Sequence, residues 1–123
     1  MLLFSTRIAV STIHGLGCFT TEDIKQGATV WQYDDRLDRR IPKTELTNFP
    51  HGVQEYLAMY AYEEVVDGVR VLTLCGDQAK HMNHSDAPNL SEGPLGVNLA
   101  ARDIAAGEEL TCDYHLFDLA VKF

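Results

Sequence analysis

The chain has 123 residues, 46% of them hydrophobic, and carries 10 Lys and Arg against 18 Asp and Glu, a formal net charge of −8. This length suits one small globular domain with a single core rather than an array of domains. A protein whose main ligand is nucleic acid or an anionic membrane normally carries a basic excess, so the charge argues against both and favours a cationic partner.

The first half of the chain contains short strand-like segments followed by a helical pattern. In residues 44–60 apolar side chains recur at steps of three and four, which predicts one or two helical pieces broken near Pro50 and Gly52. Three earlier segments, each bounded by Gly, Asp or Pro, are predicted as strands. They are residues 7–10, 17–21 and 28–33.

The second half begins with a predicted β-hairpin. Residues 61–66 and 69–74 are joined by Asp67-Gly68, a dipeptide that supplies the positive φ needed in a two-residue turn. Residues 96–101 and 109–114 are the last predicted strands. The predicted fold class is therefore mostly β (α+β), in one domain with a helical insert.

One pattern occurs twice. Residues 23–30 read Asp-Ile-x-x-Gly-x-x-Val and residues 103–110 read Asp-Ile-x-x-Gly-x-x-Leu. The repeat predicts the same turn before a strand each time, with glycine in the left-handed conformation.

The cysteines and the N-terminus bear on the compartment. Cys18, Cys75 and Cys112 are odd in number and widely spaced, which indicates neither a disulfide framework nor a zinc knuckle. The N-terminal Met-Leu-Leu-Phe is too short for a secretory core, and apolar runs elsewhere are short. We expect a soluble cytoplasmic protein in a reducing compartment, with nothing cleaved off.

The first candidate site is His14-Gly15-Leu16-Gly17, between two predicted strands. Glycine lets the backbone approach a ligand and donate its N–H groups. The longer dinucleotide-binding fingerprint is missing, because position 20 is Thr and no βαβ unit follows. Taken alone, the glycine pair is better interpreted as an ordinary tight turn.

The second candidate is the Asn-His-Ser-Asp-Ala-Pro-Asn segment at residues 83–89. Asn83 and His84 offer donors and acceptors suited to a heterocycle edge and an ammonium group, although a structural polar turn is an alternative. A metal site is another alternative, since His81 and His84 lie three apart. We predict no metal, because Cys75, Cys112 and His115 would also have to converge.

The third candidate is the Gly-Glu-Glu-Leu-Thr-Cys-Asp-Tyr segment at residues 107–114. Alone, Tyr114 would be interpreted as a half-buried aromatic residue. The order of the three segments, from about residue 7 to residue 114, closely resembles the SET domain of protein-lysine methyltransferases. The chain is similar in size to the minimal stand-alone SET domains of bacteria and viruses.

The resemblance implies a SET-type fold of several small sheets, with a knot-like threading of the Asn-His-Ser segment and the chain end. It implies a single SET domain over residues 1–123, in which about residues 35–75 are a variable middle insert. Residues 115–123 would form a short C-terminal lid.

The resemblance also implies S-adenosylmethionine as the cofactor and Tyr114 as the catalytic residue beside the transferring methyl. Phe117 is expected to stack on adenine, or else to pack back on the core, and Leu116 or Leu119 would cover the adenine. The residues expected along the cofactor are Gly15, Leu16, Gly17, Asn83 and His84.

Tyr60, Tyr62 and Cys112 are the residues predicted for the substrate channel, and either tyrosine could instead lie at the cofactor rim. Cys112 stands where the family usually has Phe or Tyr, and the smaller side chain predicts that more than one methyl is added. The predicted function is methyl transfer to the ε-amine of lysine in a protein substrate, expected to be basic. A catalytically silent module that binds a basic peptide is the alternative. The oligomeric state is open, and a homodimer that completes the groove is one option.

Overall fold

The computed structural model describes residues 1–121 and shows short strands in four small sheets. Nine of the strands in this range are two to five residues long and one has six residues. In chain order the strands are β1 (Thr6–Val10), β2 (Leu16–Thr20), β3 (Thr29–Trp31), β4 (Arg39–Pro42), β5 (Tyr62–Val66), β6 (Val69–Leu74), β7 (Asn83–His84), β8 (Leu90–Glu92), β9 (Asn98–Ala100) and β10 (Thr111–Cys112).

The sheets combine strands from both ends of the chain. β1 pairs with β2, β4 and β5 flank β6, and β3 and β8 flank β9, all in antiparallel fashion. β7 and β10 pair in parallel, which brings the second and third candidate segments side by side. The predicted mostly β fold class is confirmed, although the strand pattern in residues 109–114 ends earlier than expected.

The helical insert consists of a 3₁₀ helix at Lys43–Asn48 and the α-helix α1 (His51–Tyr60). Pro50 caps α1, and its carbonyl accepts the N–H groups of Val53 and Gln54, so the predicted break at Pro50 is confirmed. Gly52, the other residue expected near this break, is the second residue of α1. Further 3₁₀ helices are Gln78–His81, Pro94–Gly96 and Tyr114–Leu116.

The predicted hairpin is present as β5 and β6. Asp67 and Gly68 have φ of 51° and 77°, so both central residues adopt the positive φ of a type I′ turn. The sequence did not predict β4, whose residues Arg39–Pro42 pair with β6 on the side opposite β5. Two arginines and a terminal proline give this edge strand little of the usual strand composition.

One buried cluster forms the core between the sheets. It contains Ile24, Val30, Leu90, Ile104 and Leu110, each at most 1% exposed, together with Cys18, Met82, Ala100 and Cys112. Five members lie on β2, β3, β8, β9 and β10 and the other four lie between strands, so both ends of the chain build it. Within residues 1–121 no helix has the length and apolar character needed to cross a bilayer.

The repeated Asp-Ile-x-x-Gly pattern forms a structure that we call the paired-turn clasp (residues 23–27 and 103–107). The backbones of Ile24 and Ile104 exchange two hydrogen bonds of 2.8 Å. Each aspartate accepts a backbone N–H of the other turn, Asp103 from Gln26 at 2.8 Å and Asp23 from Ala106 at 2.9 Å. The two glycines have φ of 85° and 93°, so the predicted left-handed conformation is confirmed.

Candidate active site

Asn83 connects the glycine turn to the third candidate segment. Its side chain is buried, and Nδ2 donates to the His14 carbonyl at 3.1 Å, the Leu16 carbonyl at 3.2 Å and Glu109 Oε2 at 2.8 Å. The structure therefore brings the expected cofactor residues 15–17 and Asn83 together, through hydrogen bonds that fix the turn.

Glu109 is the acceptor at the centre of this arrangement. Besides Asn83, its carboxylate accepts the Ser11 hydroxyl at 2.8 and 2.9 Å. A Cβ at Gly17 would lie 2.8 Å from Glu109 Cδ, so glycine permits the close approach of the carboxylate. Sequence reasoning missed this role, although Glu109 belongs to the Gly-Glu-Glu-Leu segment.

His84 is held in one tautomer by the chain end. The Tyr114 backbone N–H donates to His84 Nδ1 at 3.0 Å, so Nδ1 carries the lone pair and Nε2 carries the hydrogen. Nε2 lies 2.9 Å from Asp86 Oδ1, which accepts that hydrogen. The imidazole also packs edge-on against the Tyr114 ring, with a centroid separation of 5.4 Å.

His84, Asp86 and His115 lie close enough to be considered as metal ligands, since one ligand atom from each lies within 4.8 Å of the others. A metal at His84 Nε2 would need a lone pair there, whereas the hydrogen bond at Nδ1 places the hydrogen on Nε2. His115 Nδ1 in turn lies 2.9 Å from Asp113. The geometry favours a hydrogen-bonded polar cluster over a metal centre.

Tyr114 lies two residues after the end of β10 and lines a cavity. Its phenol donates to the Met82 carbonyl, the residue just before β7. Burial raises the pKa of Tyr114, with smaller contributions from Cys112 and Asp118 in the same direction. The phenol therefore keeps its hydrogen at neutral pH and presents a hydroxyl oxygen to the cavity.

The cavity has a volume of about 620 Å³ and is lined by all three residues predicted for the channel, Tyr60, Tyr62 and Cys112, together with Tyr114 and Phe117. Cys112 is 6% exposed, and burial raises the pKa of its thiol, as it does that of the Tyr62 phenol. These groups are neutral at physiological pH. The inner wall is therefore uncharged and partly apolar.

Tyr60 and Tyr62 have different neighbours. Tyr60 is the last residue of α1. Its ring packs against those of Tyr56 at 4.9 Å and His81 at 5.4 Å between ring centroids. Tyr62 packs edge-on against Phe117 at 4.9 Å. Tyr62 is thus the member of the pair that contacts the expected lid.

Phe117 packs between the Tyr62 and Tyr114 rings, at 4.9 and 5.8 Å, and against the core. This position corresponds to the second of the two expectations for Phe117, and stacking on adenine stays a prediction. Leu116 and Leu119 are exposed. Residues 122 and 123 of the expected lid segment lie outside the described part of the chain.

Another part of the cavity wall, on β5, is charged. Glu63 is buried and pairs with Lys43 at 2.5 Å and Arg70 at 3.4 Å. Glu64 accepts the Thr73 hydroxyl and lies 3.5 Å from Arg40. Sequence reasoning did not identify these groups as cavity residues, because their positions depend on the register of β5 and β6.

The chain is similar to known proteins over most of its length. The family model described as SET domain matches residues 15–115. Histone-lysine N-methyltransferase ATX2 of Arabidopsis thaliana is 33% identical over 120 residues, which covers 89% of this chain and 11% of that protein. Histone-lysine N-methyltransferase, H3 lysine-4 specific, of Schizosaccharomyces pombe is 34% identical over 122 residues, which covers 91% of this chain and 13% of that protein.

Solved structures share the fold. An inhibitor-bound, humanized mutant of the Chaetomium thermophilum Polycomb Repressive Complex 2 matches with a TM-score of 0.69 and 22% identity, covering 94% of this chain and 15% of that one. An apo ctPRC2 structure with mutations in Ezh2 matches with a TM-score of 0.74 and 21% identity, covering 95% of this chain and 16% of that one. The chain spans only 11% and 13% of the length of the two curated relatives above.

Proposed function

Because the chain belongs to the SET domain family, we propose that it transfers methyl groups from S-adenosylmethionine to the ε-amine of a lysine in a protein substrate. The observation that carries this proposal is the parallel pairing of β7 with β10. The pairing places Asn83 and His84, next to the glycine turn, beside Tyr114, which lines the cavity.

The glycine turn fits a cofactor that contacts backbone. Gly15 has φ of 48°, and a Cβ there would meet nothing within 4 Å, so the outer side of the turn is open to a ligand. Asn83 holds the turn by donating to the carbonyls of His14 and Leu16, and these hydrogen bonds leave the open side at Gly15 uncovered. Residues 15–17, Asn83 and His84 would hold S-adenosylmethionine, which supplies a methyl group on a sulfonium when bound.

The uncharged part of the cavity wall favours the neutral form of a lysine amine. Free lysine has a pKa of about 10.4, and only the neutral amine has the lone pair that the transfer requires. The buried, uncharged groups of Tyr62, Cys112 and Tyr114 lower that pKa by desolvation. The proton leaves to water through the open mouth of the cavity, so a dedicated base is not needed.

Tyr114 orients the amine. Its phenol hydrogen is directed at the Met82 carbonyl, so the hydroxyl oxygen can accept a hydrogen bond from the amine N–H and turn the lone pair away from itself. Holding the reacting atoms in line accounts for most of the expected rate gain.

The acidic net charge of −8 favours a basic substrate segment, an attraction that weakens as salt rises.

The proposal is tested with purified protein, methyl-labelled S-adenosylmethionine and a mixture of basic proteins. We expect label on protein with the native sequence, and about a 100-fold loss of turnover with unchanged cofactor affinity in Tyr114→Phe. His84→Ala should lose cofactor binding. Cofactor binding without any transfer would support the silent module instead, and full turnover in Tyr114→Phe would contradict the role of Tyr114.

A further inference from the structure

Three polar residues form one row across the sheet of β3, β9 and β8. Asn98 is the register partner of Trp31 on β3 and of Glu92 on β8. Asn98 and Glu92 are regular antiparallel partners and share a face, whereas the register of β3 shifts between Thr29 and Trp31, so Trp31 is placed with them by the cavity that it lines. All three line the same cavity as Tyr114. We call them the Trp31–Asn98–Glu92 row.

Trp31 contributes a hydrogen-bond donor that lacks an acceptor. The residue is 5% exposed, and its buried Nε1 has no hydrogen-bond partner among the residues that the structure describes. A buried N–H without an acceptor costs about 1–3 kcal/mol, so such groups are rare unless a ligand or a water completes them. An oxygen of a ligand that reached this wall would complete the hydrogen bonding of the indole N–H.

Glu92 contributes a negative charge that is not offset. Within residues 1–121 it forms no ion pair, and its contact is with Asn98 Nδ2 at 3.4 Å. The other cavity carboxylates have stronger partners: Glu63 and Glu64 pair with cations, and Asp118 accepts two backbone N–H groups at 3.0 Å. Burial and then the nearby Glu64 raise the pKa of Glu92. A cation beside Glu92 would counter both effects.

We propose that the Trp31–Asn98–Glu92 row is a specificity subsite for a second cationic side chain, an arginine or lysine within two residues of the methylated lysine. Glu92 accepts hydrogen bonds from the cation, and Trp31 Nε1 donates to a carbonyl oxygen of the same substrate segment. This inference rests on the proposed function, since it concerns the substrate of the same cavity.

Two arguments assign Glu92 to a neighbouring residue rather than to the methylated lysine. A carboxylate beside the reacting amine would stabilise its ammonium form and oppose the loss of the proton that transfer requires. Glu92 is also only partly buried, at the end of β8, whereas Cys112 is 6% exposed. The carboxylate thus suits a cation that stays charged at the mouth of the cavity.

The test measures peptide affinity by fluorescence anisotropy, which does not depend on turnover. The probes are labelled 15-residue peptides with one lysine, in which each position within two residues of it carries either arginine or citrulline, its neutral isostere. For at least one position we expect the native protein to bind the arginine peptide about fivefold more tightly, equivalent to about 1 kcal/mol, the upper end for an accessible ion pair. Glu92→Gln should abolish this preference and leave the citrulline peptide unchanged.

Two further variants complete the design. Glu22→Gln makes the same chemical change at an exposed position away from the cavity, where the Ser5 N–H can still find an acceptor, and it should retain the arginine preference. Trp31→Phe keeps an aromatic ring but removes the N–H, and should weaken arginine and citrulline peptides equally, by about fivefold.

The outcomes separate this inference from the proposed function. Equal affinities for the two peptides at every position in the native protein would overturn the subsite, as would equal weakening of both peptides in Glu92→Gln. Absence of methyl transfer together with a Glu92-dependent arginine preference would sink the enzymatic proposal and leave the subsite standing.

Discussion

Replacing Asn83 by alanine tests whether the hydrogen bonds at the glycine turn hold the site together. The amide Nδ2 has two hydrogens for three acceptors, so at most one full bond to the Glu109 carboxylate and one to a carbonyl are lost. A bond to a charged group is worth about 1.5–3 kcal/mol and a neutral one about 0.5–1.5 kcal/mol. Water reaches the half-buried carboxylate in the variant, so we expect a loss of about 2–3 kcal/mol.

Urea unfolding measures this loss. The single tryptophan, Trp31, is 5% exposed in the folded protein, so its fluorescence reports unfolding. With a typical slope of about 2 kcal/mol per molar urea, the midpoint should fall by about 1–1.5 M in Asn83→Ala. Asn48→Ala is the matched control, because Asn48 donates to Glu45 at 3.0 Å on the exposed surface, and it should cost less than about 0.5 kcal/mol.

A double-mutant cycle locates the effect. Glu109→Gln replaces the charged acceptor with a neutral one, so the loss caused by Asn83→Ala should fall by about half in that background. An unchanged midpoint in Asn83→Ala would refute the reasoning. An equal loss in both backgrounds would show that the Glu109 carboxylate is not the main partner of Asn83.

Three further predictions concern packing, the glycine turn and pH. Cys112→Tyr fills part of the cavity and should limit the product to monomethyl-lysine, whereas we expect the native protein to add more than one methyl; mass spectrometry of the product checks both expectations. Gly17→Ala displaces Glu109 and should weaken cofactor binding measured by calorimetry; Gly15→Ala adds a methyl on the side open to the cofactor and should weaken binding too, besides costing about 1–2 kcal/mol of stability from its positive φ. Burial raises the pKa of the Cys75 thiol from 9.0 to about 12, so its contribution to stability is fully present below pH 9 and is lost as the pH rises towards 12. Cys75→Ala should flatten this alkaline fall in urea midpoint, and an identical pH profile would contradict the assignment.

Local sequence signals predicted the elements whose structure is decided locally. The Asp67-Gly68 turn and the helix after Pro50 are present because their backbone requirements are met by the residues themselves. Gly52 lies just inside α1, since the first turn of a helix tolerates glycine. The edge strand β4 was missed because its partner β6, not its own composition, makes it a strand.

Contacts between distant segments set the limit of the sequence prediction at the site. The segments containing Asn83 and Tyr114 could be assigned by their resemblance to a family, but the Ser11–Glu109 hydrogen bond joins residues 98 positions apart. The Trp31–Asn98–Glu92 row likewise depends on the register of three strands. No local pattern carries such information, because register is decided by the packing of the whole sheet.

The paired-turn clasp has a consequence for how the domain folds and how it tolerates change. Its side-chain bonds join residues 77 and 83 positions apart, so the clasp closes one long loop that contains the whole middle of the chain. Closing such a loop is entropically expensive and places the clasp among the non-local contacts that slow folding. The same entropy grows only slowly with loop length, by about 0.6 kcal/mol for each doubling. Residues inserted at the exposed Asp67-Gly68 turn should therefore leave the clasp closed at little cost in stability, which makes this turn the place to lengthen the domain or to graft a new segment.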